Sequence, residues 1–134
     1  MIVLTRVYHF SAAHSLESPA LSAEANRDLY GLCHRLHGHN YYLEVSVAGR
    51  PDPVTGMAVD VERLDATVRV ALLDQVDHHR LEAAPALGGV ITTGEGLAHA
   101  FWRVLAGVLP AGRLRRVTVV ETAKNRFDYA GEET

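Results

Sequence analysis

From His37 to Val47, the odd positions read His37, His39, Tyr41, Leu43, Val45 and Val47. A repeat of two places all six on one face of a β-strand, so an apolar strand face continues into a pair of imidazoles. Ile2 to His14 is rich in β-formers and reads as a second strand, ending in Phe10-Ser-Ala-Ala-His14. If these two strands pair as a hairpin around the intervening segment, His14 lies beside the other two histidines. Residues 15–32 are mixed and polar, with Ser18-Pro19, and read as a long loop with room for a helical turn.

The period changes after Gly49. Gly49-Arg-Pro-Asp-Pro53 and Thr55-Gly56 mark a connection to a short strand at Met57–Val59. Asp60 has the chemistry of an N-cap, and Val61, Leu64, Val68 and Leu72 follow at helical spacing, which predicts a helix over 61–74. A loop runs from Asp77 to Gly89. Thr92 or Thr93 caps a second helix with the stripe Leu97, Phe101, Leu105 and Val108, ended by Pro110 and Gly112. Arg115 to Thr122 reads as a strand with Val117, Val119 and Glu121 on one face, and Phe127 to Ala130 as the last strand. Strands, then helices, then strands indicate an α+β fold with an antiparallel sheet. At 134 residues, the chain is expected to form one domain over 1–134.

Composition narrows the function classes. Thirteen Lys+Arg against sixteen Asp+Glu leave a net charge of −3, so no basic excess supports nucleic-acid binding. No apolar run approaches the roughly 18 residues of a membrane span. The first residues lack the basic region and long apolar core of a signal peptide, and the expectation is a cytoplasmic protein. One cysteine, Cys33, cannot form an internal disulfide.

Chemistry concentrates around that cysteine. Neutral imidazole is a common zinc ligand, and a catalytic zinc has three protein ligands and an open position. His37-Gly-His39 supplies two such groups, and His14 is the candidate third. On spacing alone, His-x-His is a weak signal, more often two ordinary histidines than a metal site. Cys33 lies four residues before His37, as a buried small side chain or as a thiol near a cation. Asp77-His78 offers a carboxylate to orient an imidazole for proton transfer, or a solvated loop. Glu121, on an otherwise apolar strand face, sits in water at the strand's end or meets a donor-rich ligand such as an aminated nitrogen heterocycle. His99 and Trp102 read as packing or interface residues.

These segments together resemble the 6-pyruvoyl-tetrahydropterin and 6-carboxytetrahydropterin synthase family. The motifs run in order along nearly the whole chain: Phe10–His14, Tyr30-Gly-x-Cys33, His37-Gly-His39-Asn40, Asp52-Pro-Val-Thr-Gly56 with Asp60, Asp77-His78-x-x-Leu81, Thr93-x-Glu95, Glu121-Thr122 and Asn125-x-x-x-Tyr129-x-Gly131. The resemblance implies the tunnelling fold in ββααββ order, assembled as a hexamer of two trimers with active sites between subunits. It implies a zinc ion on His14, His37 and His39, with Cys33, Asp77 and His78 as catalytic groups. Glu121 would anchor the pterin of 7,8-dihydroneopterin triphosphate, beside Thr93 and Glu95. Two outcomes are open: 6-pyruvoyl-tetrahydropterin, or 6-carboxy-tetrahydropterin with acetaldehyde, towards the queuosine-type 7-deazaguanines of tRNA. The three-residue gap between Cys33 and His37, with Asp77-His78-His79, favours the carboxy-forming branch. Tyr30-Gly31 and Asp52–Gly56 resemble the pyruvoyl-forming branch. Ser15 stands where many members carry arginine, which leaves Lys124 and Arg126 as candidate triphosphate contacts.

Overall fold

The computed structural model describes residues 1–132. Its sheet has five strands: β1 (Ile2–His14), β2 (His37–Gly49), β3 (His79–Arg80), β4 (Leu114–Thr122) and β5 (Asn125–Tyr129), in the order β3-β1-β2-β4-β5. All pairs are antiparallel except β3, which runs parallel to β1 at Ala12 and Ala13. The α+β expectation therefore holds, with one short parallel strand added at an edge.

The two long helical segments that follow β2 pack on one face of the sheet. The predicted first helix is present, capped by the Asp60 carboxylate, which accepts from the Arg63 N–H at 3.1 Å. It comprises α2 (Val61–Val68), a wider π-helical turn over Arg69–Leu73, and α3 (Asp74–Val76). Leu64, Val68, Leu72 and Val76 are all buried. A four-residue step exceeds one α-helical turn by about 40°, so three such steps would rotate the stripe off the core. The π turn absorbs that drift. Of the two candidate caps for the next helix, Thr93 is the cap: its hydroxyl accepts from the Gly96 N–H at 3.1 Å, opening α4 (Gly94–Val108). Leu97, Phe101 and Leu105 are buried, but Val108 is exposed at the end of the helix.

Facing them, Phe10, Tyr41, Leu43, Val45, Val117 and Val119 form the sheet side of the core, with Phe10 and Tyr41 stacked at 4.7 Å between ring centroids. Gly94 admits β5: a methyl there would stand 2.1 Å from the Phe127 ring. His99 and Trp102 are packing residues, each meeting the Tyr129 ring edge-on.

Three local expectations fail. Met57–Val59 is not a strand: the segment folds back on its own turn, where the Asp52 N–H donates to the Met57 carbonyl at 2.9 Å. The loop at 15–32 contains a full helix, α1 (Ala23–Tyr30), capped by Ser22 and followed by a 3-10 turn over Gly31–His34. The loop after Asp77 contains β3 and two further 3-10 turns. Among the described residues, no helix is long and apolar enough to cross a membrane.

The sheet is tied to α2 by Asp65, which accepts two hydrogen bonds from Arg6 (3.0 and 2.9 Å) and one from Tyr8 (2.8 Å). The Arg6 hydrogen bonds hold the Asp65 carboxyl below its ordinary range. A depressed carboxyl contributes stability above its unfolded pKa and loses it as the pH falls through its folded value. Asp65→Asn should therefore melt below the wild type at pH 7, and the gap should close as the pH is lowered past about 4. Paired thermal melts at several pH values check this.

Candidate active site

Three of the sequence candidates converge at the end of the β1–β2 hairpin. The register sets His14 opposite His37 and Ala12 opposite His39. The three imidazoles thus share the face that carries Phe10 and Tyr41, just beyond the core. Their ring centroids lie 4.5, 5.2 and 4.9 Å apart, and their ligand atoms all fall within 4.8 Å of one another.

The donor chemistry fits a metal ion. His14 is buried, and its Nδ1 lies 2.9 Å from the Thr92 carbonyl. A carbonyl only accepts, so Nδ1 carries the proton and Nε2 keeps its lone pair. His37 is arranged the same way, with Nδ1 2.6 Å from the Arg35 carbonyl. Burial, helped by the neighbouring His37, pushes His14 down to about 4. Burial also lowers His39, against the pull of the Glu121 carboxylate. Both are therefore neutral at pH 7, the form that ligates metals. The Tyr41 hydroxyl lies 3.3 Å from His14 Nε2. Three imidazoles, with space left on the solvent side, match a metal centre with an open position.

Asp77 and His78 reach the same end of the sheet by a different route. Asp77 Oδ1 accepts from the Ser11 N–H at 3.0 Å, and the His78 N–H donates to the Ser11 carbonyl at 2.6 Å. Asp77 Oδ1 lies 3.0 Å from His78 Nδ1, which leaves His78 Nε2 facing solvent. The Ser11 N–H holds the Asp77 carboxyl below its ordinary range, despite some burial. His78 and His39 line one open cleft with Ser11, Gly38, Asn40 and Arg80. His78 has φ +61°, the only non-glycine residue at positive φ among the described residues. Such strain is kept where the surroundings fix it.

The other candidates are placed as follows. Glu121 is half-buried on the face of Val117 and Val119, close enough to His39 and Tyr41 to bias both electrostatically. Cys33 is exposed in the turn after α1, with its carbonyl accepting from the Leu16 N–H at 2.9 Å. It does not line the cleft that holds His39 and His78. The Thr93 hydroxyl is engaged in its capping bond, and Glu95 is exposed. Arg126 pairs with Glu44 at 3.0 Å, opposite Val120 and so on the face away from the histidines. Within one chain it is therefore no triphosphate contact for this site. Lys124 is exposed in the β4–β5 turn.

Sequence reasoning missed Glu82. Its Oε1 accepts from the Ser15 N–H (2.8 Å) and the Thr92 hydroxyl (3.0 Å). Its position in a non-periodic turn carried no signal that could have marked it.

The chain matches the family model for 6-pyruvoyl tetrahydropterin synthase over residues 3–132. It belongs to that family. It is 40% identical to the 6-pyruvoyl tetrahydrobiopterin synthase of Poecilia reticulata over 132 residues, covering 96% of this chain and 90% of that protein. The Dictyostelium discoideum protein of the same name is 39% identical, covering 98% and 97%. The solved structure of Caenorhabditis elegans 6-pyruvoyl tetrahydropterin synthase superposes with a TM-score of 0.90 at 36% identity, covering 98% and 96%.

These relatives overturn the carboxy-forming expectation: the similarity is to pyruvoyl-forming synthases of the animal type. The gap between Cys33 and His37, on which that expectation rested, therefore does not separate the branches.

Replacing His78 by glycine should relieve backbone strain and raise stability by about 1 kcal/mol. The same change removes the imidazole that Asp77 orients and should abolish turnover, so denaturant unfolding and activity should move in opposite directions.

Proposed function

We propose that this synthase-family chain converts 7,8-dihydroneopterin triphosphate to 6-pyruvoyl-tetrahydropterin and triphosphate. The observation that carries the reading is identity of about 40%, across nearly the whole chain, to 6-pyruvoyl tetrahydrobiopterin synthases. The histidine cluster and the Asp77–His78 pair support it.

The resident metal in this reading is zinc on His14, His37 and His39; when bound, it supplies a Lewis acid that polarises the side-chain hydroxyls. Cys33, as thiolate, takes a proton from a side-chain carbon. His78, held at Nδ1 by Asp77, gives and receives protons through its solvent-facing Nε2. Glu121 accepts from the amino group and ring N–H of the pterin. Thr93 and Glu95 line the pterin's surroundings. Triphosphate leaves from the terminal carbon of the side chain. The side chain is oxidised while the ring is reduced, so no external reductant enters.

Assembly belongs to the same reading. β5 is an open sheet edge, and β3 covers β1 only at Ala12 and Ala13. Copies that pair these edges in trimers, stacked as a hexamer, remove both edges and build active sites between subunits. A lone cysteine kept as a thiol fits a reducing, cytoplasmic setting.

The test is product analysis by mass spectrometry, using zinc-loaded protein and 7,8-dihydroneopterin triphosphate. A tetrahydropterin retaining all three side-chain carbons, with free triphosphate, is expected. Pterin binding without turnover would overturn the reading. Cys33→Ala should lower kcat by about 10²–10⁴-fold while zinc and pterin stay bound.

A further inference from the structure

Glu82 lies outside every motif discussed above, yet its hydrogen bonds converge on a metal-site histidine. Both acceptor bonds of the clamp fall on one oxygen. Oε1 takes the Ser15 N–H at 2.8 Å and the Thr92 hydroxyl at 3.0 Å, while Oε2 takes Arg80 Nε at 3.2 Å. Ser15 directly follows His14 in the chain. Thr92 is buried, and its carbonyl is the group that accepts from His14 Nδ1 at 2.9 Å.

The proton directions follow in sequence. A carboxylate only accepts, so the Thr92 hydroxyl donates to Glu82. The Thr92 hydroxyl oxygen, 3.2 Å from His14 Nδ1, is then left as a second acceptor beside the carbonyl. Both groups facing Nδ1 are therefore acceptors, and the ring is fixed with its bare Nε2 towards His37 and His39. Without Glu82, Thr92 could turn its hydroxyl proton onto His14, and the segment before α4 would lose its tie to the end of β1.

We propose that Glu82 is a positioning residue of the metal centre: it clamps Thr92 to the end of β1 and so fixes the orientation and tautomer of His14. It acts one residue further out than the groups that touch a ligand. Such outer partners are typically worth 10–100-fold in metal affinity. The inference rests on the metal-site part of the proposed function, and on no other step of it.

Titration of the metal-free full-length protein with Co²⁺ alone, followed by its visible absorption band and by competition with a chelator, tests it without turnover. Wild-type binding examines the metal site itself; if the wild type takes no Co²⁺, the metal site and the clamp both fall. Given wild-type binding, Glu82→Ala should weaken it about 10–100-fold and change the band. Glu82→Gln keeps an oxygen at Oε1 and should stay within a few-fold of wild type with the wild-type band. Thr92→Val should weaken binding and Thr92→Ser should restore it. A residue that merely supported the fold would lower the melting temperature of Glu82→Ala and leave the band alone. Unchanged affinity in Glu82→Ala would overturn the clamp, as would a fall in Glu82→Gln as large as that in Glu82→Ala. If Glu82→Ala does not fold, the remaining pair decides: weakened Thr92→Val with intact Glu82→Gln supports the clamp, and any other pattern overturns it.

Discussion

The antiparallel pairing of β1 with β2 is the constraint on which the site depends. It runs without interruption from Ile2 opposite Gly49 to His14 opposite His37. Side chains alternate between faces, so a slip of one residue would send His14 to the face away from His37 and His39. The register is held by the apolar half of the same strands. Phe10 against Tyr41 can be buried under α4 in only one alignment, and that alignment also sets Ala12 opposite His39 and His14 opposite His37. Core packing and metal-site geometry are thus two consequences of a single pairing. Ala12, small and buried, leaves room beside the histidines that a larger side chain would fill.

The second half of the chain joins this hairpin through polar contacts at its end. Ser11 exchanges two hydrogen bonds with Asp77 and His78, and the Ser15 N–H donates to Glu82. No buried side-chain polar atom among the described residues lacks a partner. That completeness matters most where the apolar core ends, because an unpaired group there would cost about 1–3 kcal/mol. It also explains the strained backbone at His78. The chain must turn sharply enough to send the His78 N–H to Ser11 while its Nδ1 returns to Asp77, and the surrounding bonds hold it there.

Periodicity made the long elements legible. The alternation from His37 to Val47, the Asp60 cap, and the stripe of α4 through Leu105 all have a local physical cause, and all three are present. The failures share a different cause. β3 is two residues long and exists only because Ala12 and Ala13 offer it an edge, which no local pattern encodes. The π turn was hidden because Val61, Leu64, Val68 and Leu72 alone look like an ordinary helix; Val76, the next buried position, reveals the drift. Within the site, His-x-His could be read because two residues on one strand must share a face. Glu82 could not, because its partners Ser15 and Thr92 are distant in sequence and meet only through the fold.

The choice between the two product branches shows where motif spacing stops carrying information. Spacing constrains groups on the same local element, such as Cys33 near His37 or Asp77 beside His78. In the proposed reaction those groups serve proton removal and proton return, which the pyruvoyl and carboxy outcomes would both require. The branches diverge afterwards, according to whether the side chain keeps all its carbons. A difference of that kind can be set by residues scattered along the chain, which no single motif samples. Similarity over the full length samples all of those positions at once, and it is this that separates the branches where local spacing could not.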